Sequence, residues 1–174
     1  MRLSWVAVGG LAIGMMATAA LGATGKYVFP IKTSSGMDAG TVEFKNVKKG
    51  VKVTLKLKNL PFGDHGVHIH ENPVCDAPDF HGAGAHFNPD GKKHGFDNPM
   101  GHHNGDFPAS VSIGEDHTGE QSFVLTTISL DPAAVNSIFA NGGTSIVVHE
   151  KADDEKTDPS GASGNRIACG VIKQ

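Results

Sequence analysis

The strict alternation of residues 51–58, VKVTLKLK, constrains the fold more than any other stretch of the chain. Its apolar residues occupy the odd positions, and its lysines and threonine occupy the even positions. Successive side chains of a β-strand point to opposite faces, so an extended chain would have one apolar and one polar face. The segment therefore predicts a strand whose sheet is buried on one side only.

Seven further short runs favour strands because they are rich in β-branched and aromatic residues and are separated by Gly, Pro, Asn and Asp. They are KYVFPIK (26–32), TVEFKNV (41–47), GVHIHE (66–71), ASVSI (109–113), SFVLTTI (122–128), TSIVVHE (144–150) and RIACGVI (166–172). Eight strands predict an all-β sandwich or barrel. One short helix is expected at DPAAVNSIF (131–139), with Asp131 as its cap. The irregular segments 71–107 and 150–165 exceed ordinary loop lengths, which is typical of functional loops.

The first 23 residues indicate export. Arg2 is the only charged residue before Lys26, residues 3–21 are apolar or small, and LGATG follows. This pattern predicts a signal peptide that is cleaved near Gly22 or Ala23 and leaves a domain of residues 24–174. An uncleaved membrane anchor is the alternative, because the apolar run is nearly long enough to span a bilayer.

Charge and cysteine content narrow the classes of function. The net charge is −3 and no run of basic residues suggests a nucleic-acid partner. No membrane contact is expected once the signal is removed. In an oxidising compartment the two cysteines, Cys75 and Cys169, favour a disulfide, with two buried free thiols as the alternative.

The histidines point to metal binding. His68 and His70 are two residues apart, so a strand would project both from one face. His149 ends another predicted strand and could supply a third nitrogen. The loop HFNPDGKKHGFDNPMGHHNGD (86–106) offers further ligands in His86, His94, His103 and Asp106. Three imidazoles and one carboxylate suit zinc, and imidazoles without sulfur ligands suit oxidised copper.

At these residues the chain resembles the copper/zinc superoxide dismutases, over about residues 26–172. GVHIHE resembles the strand motif of that family, HFNPDGKKHG followed by HHNGD resembles its metal loop, and GASGNRIACGVI resembles its C-terminal signature. The resemblance implies an eight-stranded Greek-key β-sandwich, or flattened barrel, with long metal-binding and electrostatic loops. It also implies copper and zinc cofactors and superoxide as the substrate.

The resemblance also implies a role for each site residue. The copper ligands would be His68, His70, His86 and His149, and the zinc ligands would be His86, His94, His103 and Asp106. Arg166 would guide the substrate, and His86 would act in catalysis as the bridge between the metals. Asp153 would link a copper histidine to a zinc histidine, and Cys75 would pair with Cys169.

The last sequence features concern the localisation of the protein, its oligomeric state and its alternative functions. The five residues from His70 to Cys75 are typical of the bacterial branch, which favours the periplasm; a homodimer is left open. A non-catalytic copper or zinc carrier is the main alternative function, and a structural secreted sandwich is another. His102 could replace His103 as a ligand if the register of the loop slipped by one residue.

Overall fold

The structure, a computed structural model, describes residues 25–174. The predicted signal peptide therefore lies outside the described residues. These residues form nine strands: β1 Lys26–Thr33, β2 Asp38–Val47, β3 Gly50–Lys58, β4 Gly63–His65, β5 Val67–His70, β6 Val111–Ile113, β7 Thr118–Leu125, β8 Thr144–His149 and β9 Arg166–Ile172. Their only helical turns are 3₁₀ turns at His81–Ala83 and Ala140–Gly142, and no helix among them is long and apolar enough to cross a membrane.

The strands build a curled antiparallel sheet in the order β5-β8-β9-β1-β2-β3-β7, and β4 pairs separately with β6. β1 lies between β2 and β9, so the first and last strands are neighbours. Such connections between strands distant in sequence are typical of Greek-key sandwiches. The predicted all-β fold is confirmed.

One apolar core fills the interior, and the alternation of β3 shows why. Val51, Val53, Leu55 and Leu57 are at most 3% exposed, whereas the lysines between them face solvent. Phe44 and Ile146 contribute fully buried side chains from β2 and β8. Removing such apolar area from water is the main favourable contribution to folding.

Two details differ from the sequence-based expectations. Strand β4 was not predicted, because the polar run GDH shows no alternation and its pairing with β6 depends on the fold. The helix at 131–139 was also a wrong prediction. Asp131 caps a single turn through Ala133 N–H, but the segment then turns again and Ser137 forms a bridge with Ser129. Packing of Ile138 into the core, where its side chain is fully buried, stabilises this path.

A disulfide joins Cys75 to Cys169 of β9, across 94 residues of sequence. Closing a loop of that length contributes about 4 to 5 kcal/mol in the chain-entropy description. The bridge and the buried side chains of Phe80, Ala83 and Val147 attach the segment after β5 to the outer side of β8 and β9. The disulfide therefore fixes one wall of the site described next.

Candidate metal centre

Strand β5 organises the centre, because both ends of the 86–106 loop are hydrogen-bonded to it. Phe87 N–H donates to Ile69 O at 2.8 Å, and Ile69 N–H donates to Gly105 O at 2.9 Å. His86 and Asp106 are thereby placed beside the histidines of β5. His149 arrives from β8, the neighbour of β5 in the sheet.

Four imidazoles form the first group: the rings of His68, His70, His86 and His149. One nitrogen from each lies within 4.8 Å of the others, and every ring is at most 6% exposed. The nitrogens His68 Nδ1, His70 Nε2, His86 Nε2 and His149 Nε2 are all buried without a hydrogen-bond partner. A buried polar atom without a partner costs about 1 to 3 kcal/mol, so four of them in one place indicate a missing ligand that accepts four lone pairs.

The opposite nitrogens of these rings set the tautomers. His68 Nε2–H donates to Asp153 Oδ2 at 2.6 Å, His70 Nδ1–H donates to Gly84 O at 3.0 Å, and His149 Nδ1–H donates weakly to Gly164 O at 3.4 Å. A neutral imidazole carries one N–H, so the remaining nitrogen of each ring has a free lone pair. Such outer hydrogen bonds are the usual way in which proteins orient metal-binding histidines.

A second group lies on the other side of His86. Its Nδ1 lies 2.9 Å from Asp106 Oδ1 and 3.2 Å from His103 Nδ1. Asp106 Oδ1 also lies 3.1 Å from His94 Nδ1 and 3.3 Å from His103 Nδ1. His86 is therefore shared, since it presents Nε2 to one group and Nδ1 to the other.

His68 also approaches this second group, within 4.8 Å of ligand atoms of His86, His94 and Asp106. Its Nε2 is already bonded to Asp153 and its free Nδ1 belongs to the first group. His103, at 3.2 Å from His86 Nδ1, is the better fourth member. The structure thus brings together the seven ligand residues expected from the sequence.

Asp106 is held as a carboxylate. Its Oδ2 accepts from Gly95 N–H at 3.0 Å and from His103 N–H at 2.9 Å, which turns Oδ1 toward the three imidazoles. Burial alone would raise the pKa of Asp106, but hydrogen bonds from His103, His86 and His94 outweigh burial and lower this pKa well below its usual range. A charged oxygen beside three imidazoles is a donor set that suits zinc.

Comparison with known proteins identifies the family. The sequence-family model for copper/zinc superoxide dismutase matches residues 38–172. The chain belongs to the copper/zinc superoxide dismutase family. It is 42% identical over 146 residues to superoxide dismutase [Cu-Zn] 1 of Aquifex aeolicus, an alignment that covers 82% of this chain and 85% of that one.

Two solved structures show the same fold. A double mutant of a SOD-like protein from Bacillus subtilis superposes with a TM-score of 0.81 at 38% identity, over 84% of this chain and 97% of that one. The Cu/Zn superoxide dismutase from Brucella abortus gives 0.67 at 26% identity, over 85% and 99%. The fold and the cofactor class expected from the sequence, copper and zinc, are those of the family.

The buried imidazoles of the first group stay neutral. Burial lowers the pKa of His68 and of His70 well below the ordinary value, and the neighbouring His86 adds to the effect. Burial likewise lowers the pKa of His149 to about 4. Neutral rings with free lone pairs are the form that binds metal.

Asp153 connects the two groups. Its Oδ2 accepts from His68 Nε2–H, and its Oδ1 accepts from His94 Nε2–H at 3.0 Å. Burial would raise the pKa of Asp153, but these two hydrogen bonds lower it below its usual range. Gly161, at φ +65°, allows this approach, since a Cβ there would collide with Asp153 Oδ1.

Arg166 lines the open cavity of about 900 Å³ that leads to His70, His86 and His149. Its Nη1 donates to Phe80 O and its Nη2 donates to Gly84 O, each at 2.7 Å. Both carbonyls belong to the segment that the disulfide attaches to β9. The guanidinium is therefore fixed at the mouth of the metal centre.

Two basic residues at this cavity were not among the site residues predicted from the sequence. Lys92 and Lys93 also line the cavity, and Lys93 Nζ lies 3.0 Å from Asp158 Oδ2. Their position just before His94 in the metal loop was the available signal. The ring of His65 lies beside the backbone of a candidate ligand, since its Nδ1 is 2.7 Å from His149 O.

The remaining loop histidine lies outside both groups. His102 stacks on Phe96, with ring centroids 3.8 Å apart, and its Nδ1–H donates to His103 O at 2.9 Å. The register slip that would make His102 a ligand is therefore not found in this structure.

Proposed function

We propose that this protein is a superoxide dismutase whose copper and zinc share His86. The observation that carries the proposal is that the two nitrogens of His86 face different groups. Its Nε2 is unpartnered among the nitrogens of the first group, and its Nδ1 faces the second group. A ring in this position would serve as a ligand in both groups.

Each group fits one metal. His68, His70, His86 and His149 would hold copper, because four neutral imidazoles without sulfur suit its oxidised state. His86, His94, His103 and Asp106 would hold zinc as a closed set of three imidazoles and one carboxylate. When bound, copper supplies one-electron redox chemistry and zinc supplies a fixed positive charge.

The reaction converts two superoxide ions and two protons into dioxygen and hydrogen peroxide. His86 Nε2 lies in the buried first group, beside the cavity by which substrate enters. This nitrogen can hold a proton and pass it to the reduced product, so His86 serves as a proton donor as well as a ligand. Asp153 keeps His68 and His94 in the tautomers that this arrangement needs.

Arg166 would attract and orient the anion. The net charge of −3 repels superoxide, so attraction has to come from charges local to the cavity. Arg166 is fixed there by Phe80 O and Gly84 O, and Lys92 lines the same cavity.

The test is a superoxide-consumption assay on protein reconstituted with copper and zinc, with the metal content measured on the same sample. We expect one copper and one zinc per chain and activity that disappears when copper alone is withdrawn. Full occupancy without activity would contradict the proposal and favour a non-catalytic metal carrier. Sedimentation velocity on the same sample would decide between a monomer and a homodimer.

Export to the periplasm completes the proposal, with a signal peptide at residues 1–23 and a mature domain at 24–174. The disulfide between Cys75 and Cys169 supports an oxidising compartment. Mass spectrometry of the exported protein should show a chain that begins near Ala23. Trp5 is the only tryptophan, so the processed protein should also lack tryptophan fluorescence; emission would mean that the segment is retained.

A further inference from the structure

Strand register gathers lysines that are dispersed in the sequence. Lys26 of β1 lies directly opposite Lys45 of β2, which lies directly opposite Lys52 of β3. Lys48 and Lys49 form the turn between β2 and β3 at the same end of these strands. We call these five lysines the basic end.

The basic end is largely uncompensated. Lys26 pairs with Glu43 at 2.9 Å, whereas the other four lysines take part in no ion pair with any residue of 25–174. By contrast, Lys56 and Lys58, farther along β3, pair with Glu120 and Asp38. Like charges directly opposite each other on neighbouring strands destabilise a sheet. The concentration of five lysines at one end of a protein of net charge −3 therefore indicates an anionic partner.

Apolar side chains accompany these lysines on the outer face. Val124 of β7 lies directly opposite Lys52 and is 50% exposed. Val47 follows Lys45 on the same face of β2 and is 37% exposed. Cations interleaved with exposed aliphatic groups suit a bilayer surface, where headgroups attract the ammonium groups and the boundary of the acyl chains accepts the valines.

The position of the basic end in the chain also favours a membrane as its partner. Lys26 begins β1 and follows closely, in sequence, the apolar residues 3–21. In the export route proposed above, Lys26 belongs to the part of the mature domain that follows the signal segment most closely. The metal centre lies elsewhere: Thr33, at the far end of β1, pairs with Ala168, and Arg166 begins β9 just beyond. Docking through the basic end leaves the cavity at Arg166 open.

We propose that the basic end docks this protein on membrane surfaces that contain anionic phospholipids. No membrane contact is expected from the sequence once the signal is removed; the register of β1 to β3 points to the opposite conclusion. The site is independent of the dismutase chemistry, because none of its lysines lines the cavity or contacts the candidate ligands.

The experiment measures co-sedimentation of the exported, metal-loaded protein with vesicles of phosphatidylglycerol and phosphatidylcholine in equal parts, and with vesicles of phosphatidylcholine alone. We expect binding to the first only, and loss of that binding as salt shortens the range of electrostatic attraction. A retained apolar segment would bind both kinds of vesicle, so the difference between them isolates the basic end.

Matched variants locate the surface. K45Q/K49Q/K52Q should weaken binding to the anionic vesicles about a hundredfold, from roughly a fivefold loss per lysine. K32Q/K56Q/K58Q changes the net charge equally on the same sheet and should bind nearly as the wild type does. Both should keep wild-type dismutase activity, which also shows that they fold.

Three results would overturn the proposal: no binding of wild type to anionic vesicles at low salt, equal losses in the two triple variants, or dextran sulfate binding that persists when vesicle binding is absent. The last result would assign the surface to an anionic polysaccharide.

Discussion

Asp153 Oδ2 lies 2.6 Å from His68 Nε2, although 85 residues separate the two in sequence. The other oxygen of Asp153 accepts from His94, so one carboxylate orients a ring of each candidate metal group. Ser110 holds the Asp153 backbone through a 2.8 Å hydrogen bond to Asp153 N–H. The relation between the two candidate groups is therefore fixed twice, by the shared ring of His86 and by Asp153 from outside.

Replacing Asp153 with Asn should weaken metal binding by about 10- to 100-fold, the usual effect of losing an outer partner of a ligand. Asn offers one acceptor oxygen, so either His68 or His94 loses its partner. Competition with a chelator would measure copper and zinc affinities separately. Asp154→Asn is the control, because that exposed carboxylate bonds only within its own loop, to Lys156 and Thr157. Wild-type affinities in D153N would refute the role.

Replacing His149 with Ala should abolish copper binding and activity and should leave one zinc per chain. His149 belongs to the first group, and the second group draws on the 86–106 loop. Metal analysis after dialysis would measure both ions. His81→Ala is the matched control, since the His81 side chain is 81% exposed. Retained copper, or zinc lost together with it, would show that the assignment is wrong.

Arg166→Ala should keep both metals and slow the reaction with superoxide by about tenfold, within the range of electrostatic steering, which is an established property of this family. Pulse radiolysis at several salt concentrations would show the lower rate and a weaker salt dependence. Arg166→Lys should restore the salt dependence but not the full rate, because an ammonium cannot reproduce the fork that joins Phe80 O and Gly84 O.

Lys173→Ala removes the same charge outside the cavity lining and serves as the control. A full-rate R166A enzyme would place substrate guidance in other residues, with Lys92 as the first candidate.

The metal-free protein should be most stable near pH 6.5. Burial lowers the pKa of His149 to about 4, so below 6.5 the unfolded chain binds a proton that the folded chain does not, and stability falls as the pH drops toward 4. For His149 alone this loss is about 3 kcal/mol. Burial also opposes charge on His94, but Asp106 and Asp153 outweigh it and raise its pKa to about 10, so its contribution is lost as the pH rises from 6.5 to 10.

Urea unfolding of the chelated protein between pH 4 and 10 would measure this profile. His149→Gln removes the titrating ring and should make the acid side of the profile shallower while leaving the alkaline side unchanged. An unchanged acid slope in H149Q would contradict the assignment of that loss to His149.

Local patterns carried much of the prediction. The alternation of residues 51–58 depends only on the two-residue period of a strand, so it located β3 correctly from the sequence. The same period placed His68 and His70 on one face of β5, and the spacing of His86, His94, His103 and Asp106 marked the loop. These features can be predicted from the sequence because each depends on the spacing of residues within one segment of the chain.

Only the tertiary structure decided the contacts between distant segments. Three features depend on residues that are far apart in sequence. They are the cluster of four unpartnered nitrogens, the hydrogen bonds from Arg166 to two carbonyls, and the pairing of β4 with β6. The row Lys26, Lys45 and Lys52 exists only because of strand register. Register follows from turn geometry and from which faces are buried together, and the core burial of Ile138 replaced a locally plausible helix with two turns. The sequence by itself determined which side chains are available, and packing decided which of them meet.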